Sequence, residues 1–184
     1  EMAGLVSAST DGFRDTRIAQ ELRRGTSADP VRLDIRRADG SEVSVQLARR
    51  TWNEVGMLAE PTPEDGDELA PGTVYFDLNQ ATMDDLEAAM PKLETARAMV
   101  LDLRGYPSDA GKMILHHMTD EIIHSAWWNV PVTFMPDQLD VSWRRSRWTM
   151  QPLEPRLRAP AVFITDGRAI SYAESCMAIV EHYD

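Results

Sequence analysis

Cysteine is nearly missing from this chain. Cys176 is the only one, which excludes an intrachain disulfide and any multi-cysteine metal site. Long apolar runs are missing as well. The longest, such as Ala98-Met-Val-Leu101, are strand-sized and far short of the ~18 residues of a membrane span, so no membrane is required as a partner. Basic charge is in deficit. Against 30 acidic residues stand 19 basic ones, a formal net charge of −11, and a nucleic-acid partner would call for the opposite sign. The short arginine clusters (Arg23-Arg24, Arg36-Arg37, Arg49-Arg50, Arg144-Arg145-Ser-Arg147) are interleaved with acids and read as solvated strand faces and loop tips. Neither an HExxH pattern nor a His pair at i, i+4 occurs, so no metal and no cofactor is expected. No repeat, low-complexity segment or signal peptide is visible. The chain opens at Glu1 without an initiator methionine and reads as a trimmed or processed piece, in which a missing leader says nothing about export.

What remains is ordinary for a globular protein: 184 residues, enough for one domain or one domain plus a fragment. Cys176 falls on the apolar side of a C-terminal helix, where a small buried thiol is expected. A Pro- and acid-rich stretch, Glu60-Pro-Thr-Pro-Glu-Asp-Gly-Asp-Glu68, divides the chain and reads as a linker or exposed loop. Before it, Phe13 to Arg24 has the spacing of a short amphipathic helix ending at Gly25. Val31-Arg-Leu-Asp-Ile35 and Val43-Ser-Val-Gln-Leu47 alternate as strands, joined through Ala38-Asp39-Gly40 as a hairpin.

After it, strands and helices alternate, which predicts an α/β fold with parallel strands. The strands are Thr73–Leu78, Ala98–Leu103 and Ala161–Thr165. The helices run from about Met83 to Ala96, capped by Asn79 or Thr82, from Ala110 to His124, and from about Tyr172. Trp127 to Met150 reads as an irregular, Trp-rich connection whose rings either line a groove for an apolar peptide or pin the segment to the core.

Chemistry is concentrated in two turns that follow the most apolar strands: Leu103-Arg-Gly-Tyr-Pro-Ser108 and Asp166-Gly-Arg-Ala-Ile-Ser171. In open α/β sheets, sites form outside the carboxyl ends of parallel strands, which puts both turns at one edge. A serine at a sharp strand-to-helix turn exposes its hydroxyl beside unpaired backbone N–H groups, the nucleophile and the oxyanion donors of acyl transfer. The alternative is that Ser171 is an N-cap and that Gly105 and Gly167 only permit tight turns.

Asp102-Leu-Arg-Gly-Tyr-Pro107 resembles the "DLRGNPGG" segment of the C-terminal processing (tail-specific) serine peptidases, and Gly167-Arg-Ala-Ile-Ser171-Tyr-Ala-Glu174 resembles their "TASASE" nucleophile segment. Gly72-Thr-Val-Tyr-Phe-Asp-Leu78 is similar to the strand that opens their core, and residues 1–50 are similar to the last part of the preceding PDZ domain. The resemblance implies a PDZ-like C-terminal part over 1–50, a linker over 51–70, and the first part of a ClpP/crotonase-like peptidase core over 71–184. It assigns Ser171 as nucleophile, the N–H groups of Tyr172 and Ser108 as oxyanion donors, and Glu174 as the motif's glutamate. The substrate would be a peptide or unfolded protein, and the compartment the periplasm or the cell exterior.

Two departures stand out. Ser108 replaces the first glycine of the family's pair. The family's lysine base falls about one hairpin beyond the nucleophile, past Asp184, so this piece is expected to be inactive alone. The related tricorn core protease places a histidine where Asp77 stands, and an aspartate is a weak base unless its pKa is raised. Its other reading is a strand-edge carboxylate. His116, His117, His124 and His182 are expected to be structural, and Lys112 follows the first turn without matching a family position. Substituted glycines and a missing base also fit a catalytically inactive relative that binds peptides or apolar ligands.

Overall fold

A computed structural model describes residues 4–24, 30–49, 61–137 and 140–183. The chain divides into two compact units between Pro61 and Thr62. In the first, the Thr10 side chain accepts from the Phe13 N–H (3.2 Å) and opens α1 (Asp11–Arg23), two residues ahead of the expected start. The expected stop at Gly25 lies outside the described residues. β1 (Val31–Arg36) and β2 (Glu42–Leu47) pair antiparallel as predicted, with Gly40 at φ 84° in the turn, where glycine avoids the Cβ penalty. None of the described residues of this unit is fully buried.

The second unit holds the core. β3 (Glu68–Ala70) pairs antiparallel with β4 (Thr73–Asp77); β4, β5 (Ala98–Leu103) and β10 (Ala161–Thr165) are parallel, in the order β10-β5-β4-β3. The end of the acid-rich stretch, read as a linker or exposed loop, thus runs along the sheet edge. Gly66 N–H donates to the Tyr75 carbonyl and Tyr75 N–H to that of Asp67 (both 2.9 Å), because β4's outer edge offers unpaired groups there. From β4 to the helix after β5, strand and helix alternate as expected. Thr82 and Asp85 form a capping box at the start of α2 (Met83–Thr95), whose Leu86, Ala89 and Leu93 are buried. α4 (Tyr172–Tyr183) buries Ala173, Cys176 and Ile179. Residues Phe76, Leu78, Met99, Leu101, Leu103 and Ile114 are essentially inaccessible at the centre.

Two expectations are corrected. The helix after the first turn, α3 (Asp109–His117), ends seven residues before His124. Past its Met118 cap, the Thr119 hydroxyl bonds the Glu121 carbonyl and N–H, and Asp120 is drawn to Arg156 and Arg158, so the chain leaves the helix. His124 belongs to β6 (Ile123–His124), paired with β9 (Thr149–Met150). The section expected to be irregular is an antiparallel hairpin, β7 (Trp128–Thr133) with β8 (Val141–Ser146).

Burial fixes the state of the lone thiol. Cys176 is 2 % exposed, and desolvation pushes its pKa up to about 11 despite the nearby Lys112 ammonium. Native protein at pH 8 should alkylate with iodoacetamide at least about 100-fold more slowly than a free cysteine, with full reactivity in urea. Mass spectrometry of timed aliquots reads this, and rapid native labelling would contradict the packing of α4.

Candidate active site

The parallel strands fix where the two turns emerge. Thr165 is in register with Leu103, and Asp102 with Asp77, so β4, β5 and β10 end at one rim. The turn after β5 is held by Asp102, which is 1 % exposed. Its carboxylate takes the Arg104 backbone N–H (3.1 Å), the Arg104 guanidinium (2.6 Å) and the Tyr75 hydroxyl (3.0 Å). Burial alone would raise the Asp102 pKa, but the hydrogen bonds from Arg104 and Tyr75 outweigh it and hold the group below its ordinary value. Tyr75 is pushed far up, first by burial and then by this bond, so it stays a neutral donor. Gly105 follows at φ 154°, with the Asn79 amide oxygen 3.1 Å from where a Cβ would stand. Gly111 lets α3 seat against the end of β4, since a Cβ there would overlap the Leu78 carbonyl.

The turn after β10 is organised by Asp166, which accepts from the Arg168 N–H (2.8 Å) and side chain (2.7 Å). It delivers Ser171 at φ 58°, the one non-glycine residue with positive φ among the described residues. Such a conformation costs about 1–3 kcal/mol and persists only where its surroundings impose it. Ser171 N–H donates to the Glu174 carboxylate (2.6 Å), and Ser171 C=O accepts from Ser175 N–H (3.0 Å). That is half of a capping box. The other half, a bond from the Glu174 backbone N–H to the Ser171 hydroxyl oxygen, is missing, so the N-cap reading does not account for the side chain. The exposed hydroxyl has no hydrogen-bond partner among the described residues, nor has the Tyr172 N–H at the first position of α4.

The Tyr172 ring joins the two turns. It meets Tyr106 (5.5 Å) and Trp128 (6.4 Å) edge-on and stacks on Trp148 (4.6 Å, 13°), and Trp128 itself meets Trp148 edge-on at 4.9 Å. Each such pair is worth about 0.5–1.5 kcal/mol beyond the area it buries. A cleft of about 590 Å³ opens beside them, lined by Ala126, Trp128, Ser171, Tyr172, Glu174, Ser175 and Ala178. Two tryptophans of the connecting section thus pin it to α4, and Trp128 lines the cleft as well.

Other candidates lie elsewhere or are committed. Ser108 N–H donates to the Leu78 carbonyl (2.8 Å) and its hydroxyl caps α3 by accepting from Gly111 (3.0 Å), so this amide is not free in the arrangement seen. Asp77 uses one carboxylate oxygen to hold the Asn79 N–H (2.7 Å), the Asn79 side-chain amide (2.9 Å) and the Gln80 N–H (3.3 Å), which fits the strand-edge reading. Lys112 Nζ pairs with Asp109 at 2.7 Å and lies 5.3 Å from the Tyr172 ring centre. The Asp109 bond raises its pKa, so Lys112 is a fixed cation and not a base. His116 and His117 donate to the Gln151 and Pro155 carbonyls (2.8 and 2.9 Å), His124 meets Thr149 Oγ1 (3.1 Å), and His182 packs on Tyr183. Among the described residues, no group of three or more His, Cys, Asp or Glu is placed to hold a metal, and no helix is long and apolar enough to cross a membrane.

Sequence reasoning did not find the Tyr75–Asp102 bond or the ring lattice on Tyr172. A tyrosine in an otherwise apolar strand, requiring a partner for its hydroxyl, was the available signal for the first. Comparisons with family models, curated proteins and solved structures give no match for this chain.

Proposed function

We propose that the chain carries the nucleophile of a serine peptidase acting on peptides or unstructured segments near protein C-termini. The observation that supports this most is Ser171 itself, a strained serine between a parallel strand and a helix with an uncommitted hydroxyl. Ser171 Oγ attacks the scissile carbonyl and the Tyr172 N–H receives the oxyanion. The Ser108 N–H joins it only if the turn shifts off the Leu78 carbonyl as substrate binds. The proton goes to a general base that the described residues do not place at the Ser171 hydroxyl. In this reading residues 71–184 are the first part of a ClpP/crotonase-like core, 51–70 connect it, and 1–50 are the end of a PDZ-like module that presents substrate by strand addition. The protein then works in the periplasm or outside the cell.

One observation favours a second reading. The engaged Ser108 amide leaves the oxyanion site with a single free donor, as in a relative that binds peptides without cleaving them. Ser171→Ala in the full-length protein separates the two. Peptide hydrolysis that disappears with the fold retained supports catalysis. Hydrolysis that survives rejects the nucleophile, and a wild type that binds peptides but never cleaves them leaves the binding module.

A further inference from the structure

In the arm formed by β7 and β8, β8 is exposed throughout and β7 is exposed except at the half-buried Trp128 and Val132, and among the described residues no third strand joins it. A two-stranded hairpin of this length is marginal alone, so its sequence is free to serve something other than the core. Side chains two apart on a strand share a face, as do directly opposed partners. Trp128, whose ring lines the Ser171 cleft, therefore shares its face with Val130 and Val132, and with Arg144, the partner of Val130. Val130 is 40 % exposed. Arg144 is exposed and has no ion pair or hydrogen bond among the described residues, a free cation in a chain of net charge −11. The two other arginines of this stretch, Arg145 and Arg147, lie over the Trp127 ring (4.4 and 4.5 Å).

We infer that this face of the arm is a docking strip for an extended peptide with apolar side chains at alternate positions and a carboxylate that meets Arg144. The inference rests on the peptidase reading for the identity of the occupant. Val130 follows Trp128 by about 7 Å, the distance between alternate side chains of an extended chain. A peptide entering the cleft over Trp128 thus lays its next apolar side chain on Val130, with its acid beside Arg144. The strip makes Arg144 a specificity-determining residue and names the substrate class as apolar, acidic and extended.

The test uses full-length protein carrying Ser171→Ala, so that binding is read without turnover. Two fluorescein-labelled peptides of alternating apolar residues differ only in Glu or Lys at one position. The Glu peptide binds about fivefold more tightly at low salt, as one exposed ion pair allows, and the ratio shrinks as salt is added. Arg144→Glu, at an exposed position where the fold tolerates it, reverses the ratio. An unchanged ratio in Arg144→Glu overturns the inference, whatever the catalytic outcome. Should the ratio reverse while the wild type cleaves nothing, the strip stands and the peptidase reading alone fails. If neither peptide binds, and the protein sediments as a dimer that Arg144→Glu dissociates, the strip seats a second copy of the chain and the peptide inference is overturned.

Discussion

Ser171→Ala in the full-length protein lowers kcat/KM for peptide hydrolysis by about 10⁴-fold or more, the scale seen when an acyl-transfer nucleophile is removed. The fold is unaffected, because the exposed hydroxyl bonds to nothing among the described residues and substitutions at such positions stay within about 0.5 kcal/mol. A companion variant sharpens the result. Ser171→Gly loses activity equally, yet gains roughly 1 kcal/mol in stability, because glycine adopts φ 58° without the penalty that serine carries. Activity lost with stability gained is what a backbone strained for function produces. Denaturant melts and a fluorogenic peptide assay on the same preparations read both. A Ser171→Gly protein no more stable than wild type would show that the turn is not strained.

Asp102→Ala has the largest expected effect on stability, about 3 kcal/mol. It removes the acceptor of the Arg104 guanidinium, the Arg104 N–H and the Tyr75 hydroxyl together. The figure is at the low end for breaking a buried pair because the Arg104 side chain keeps 28 % exposure and can turn to water. The effect depends on pH with a definite sign. The folded-state pKa of Asp102 lies below its unfolded value of about 3.9. Its ionic contribution is therefore fully present above that value and is lost as pH falls through the folded pKa. Wild type and variant should differ most in urea melts near pH 6, with the gap narrowing only as pH falls below about 3.9. A gap that stays constant down to acid pH would mean that the carboxylate charge contributes nothing.

Much of the second unit was legible because its signals are local. β5 is apolar but for Asp102, and Ala161–Thr165 was bounded by Pro160 and Asp166, so strand ends matched the expected positions. Of the two caps the sequence offered for α2, Asn79 and Thr82, the structure uses Thr82. The hairpin of the arm was missed for a physical reason. Pro131 sits in β7, where an edge strand tolerates it, and a proline there masks the alternation of Trp128, Val130 and Val132. At the candidate site, Ser171 and the meeting of the two turns could be read from strand order. The engagement of the Ser108 amide could not, because it depends on how closely Gly111 lets α3 approach the Leu78 carbonyl. The state of a backbone donor is set by packing between distant segments, which leaves no mark on the residue itself.

The measurement that bears most directly on the account is covalent labelling of the full-length protein with a fluorophosphonate probe, followed by peptide mapping. The account requires one adduct, on Ser171 Oγ, abolished in Ser171→Ala and suppressed by competing peptide. No adduct at saturating probe, or an adduct on another residue, would contradict it.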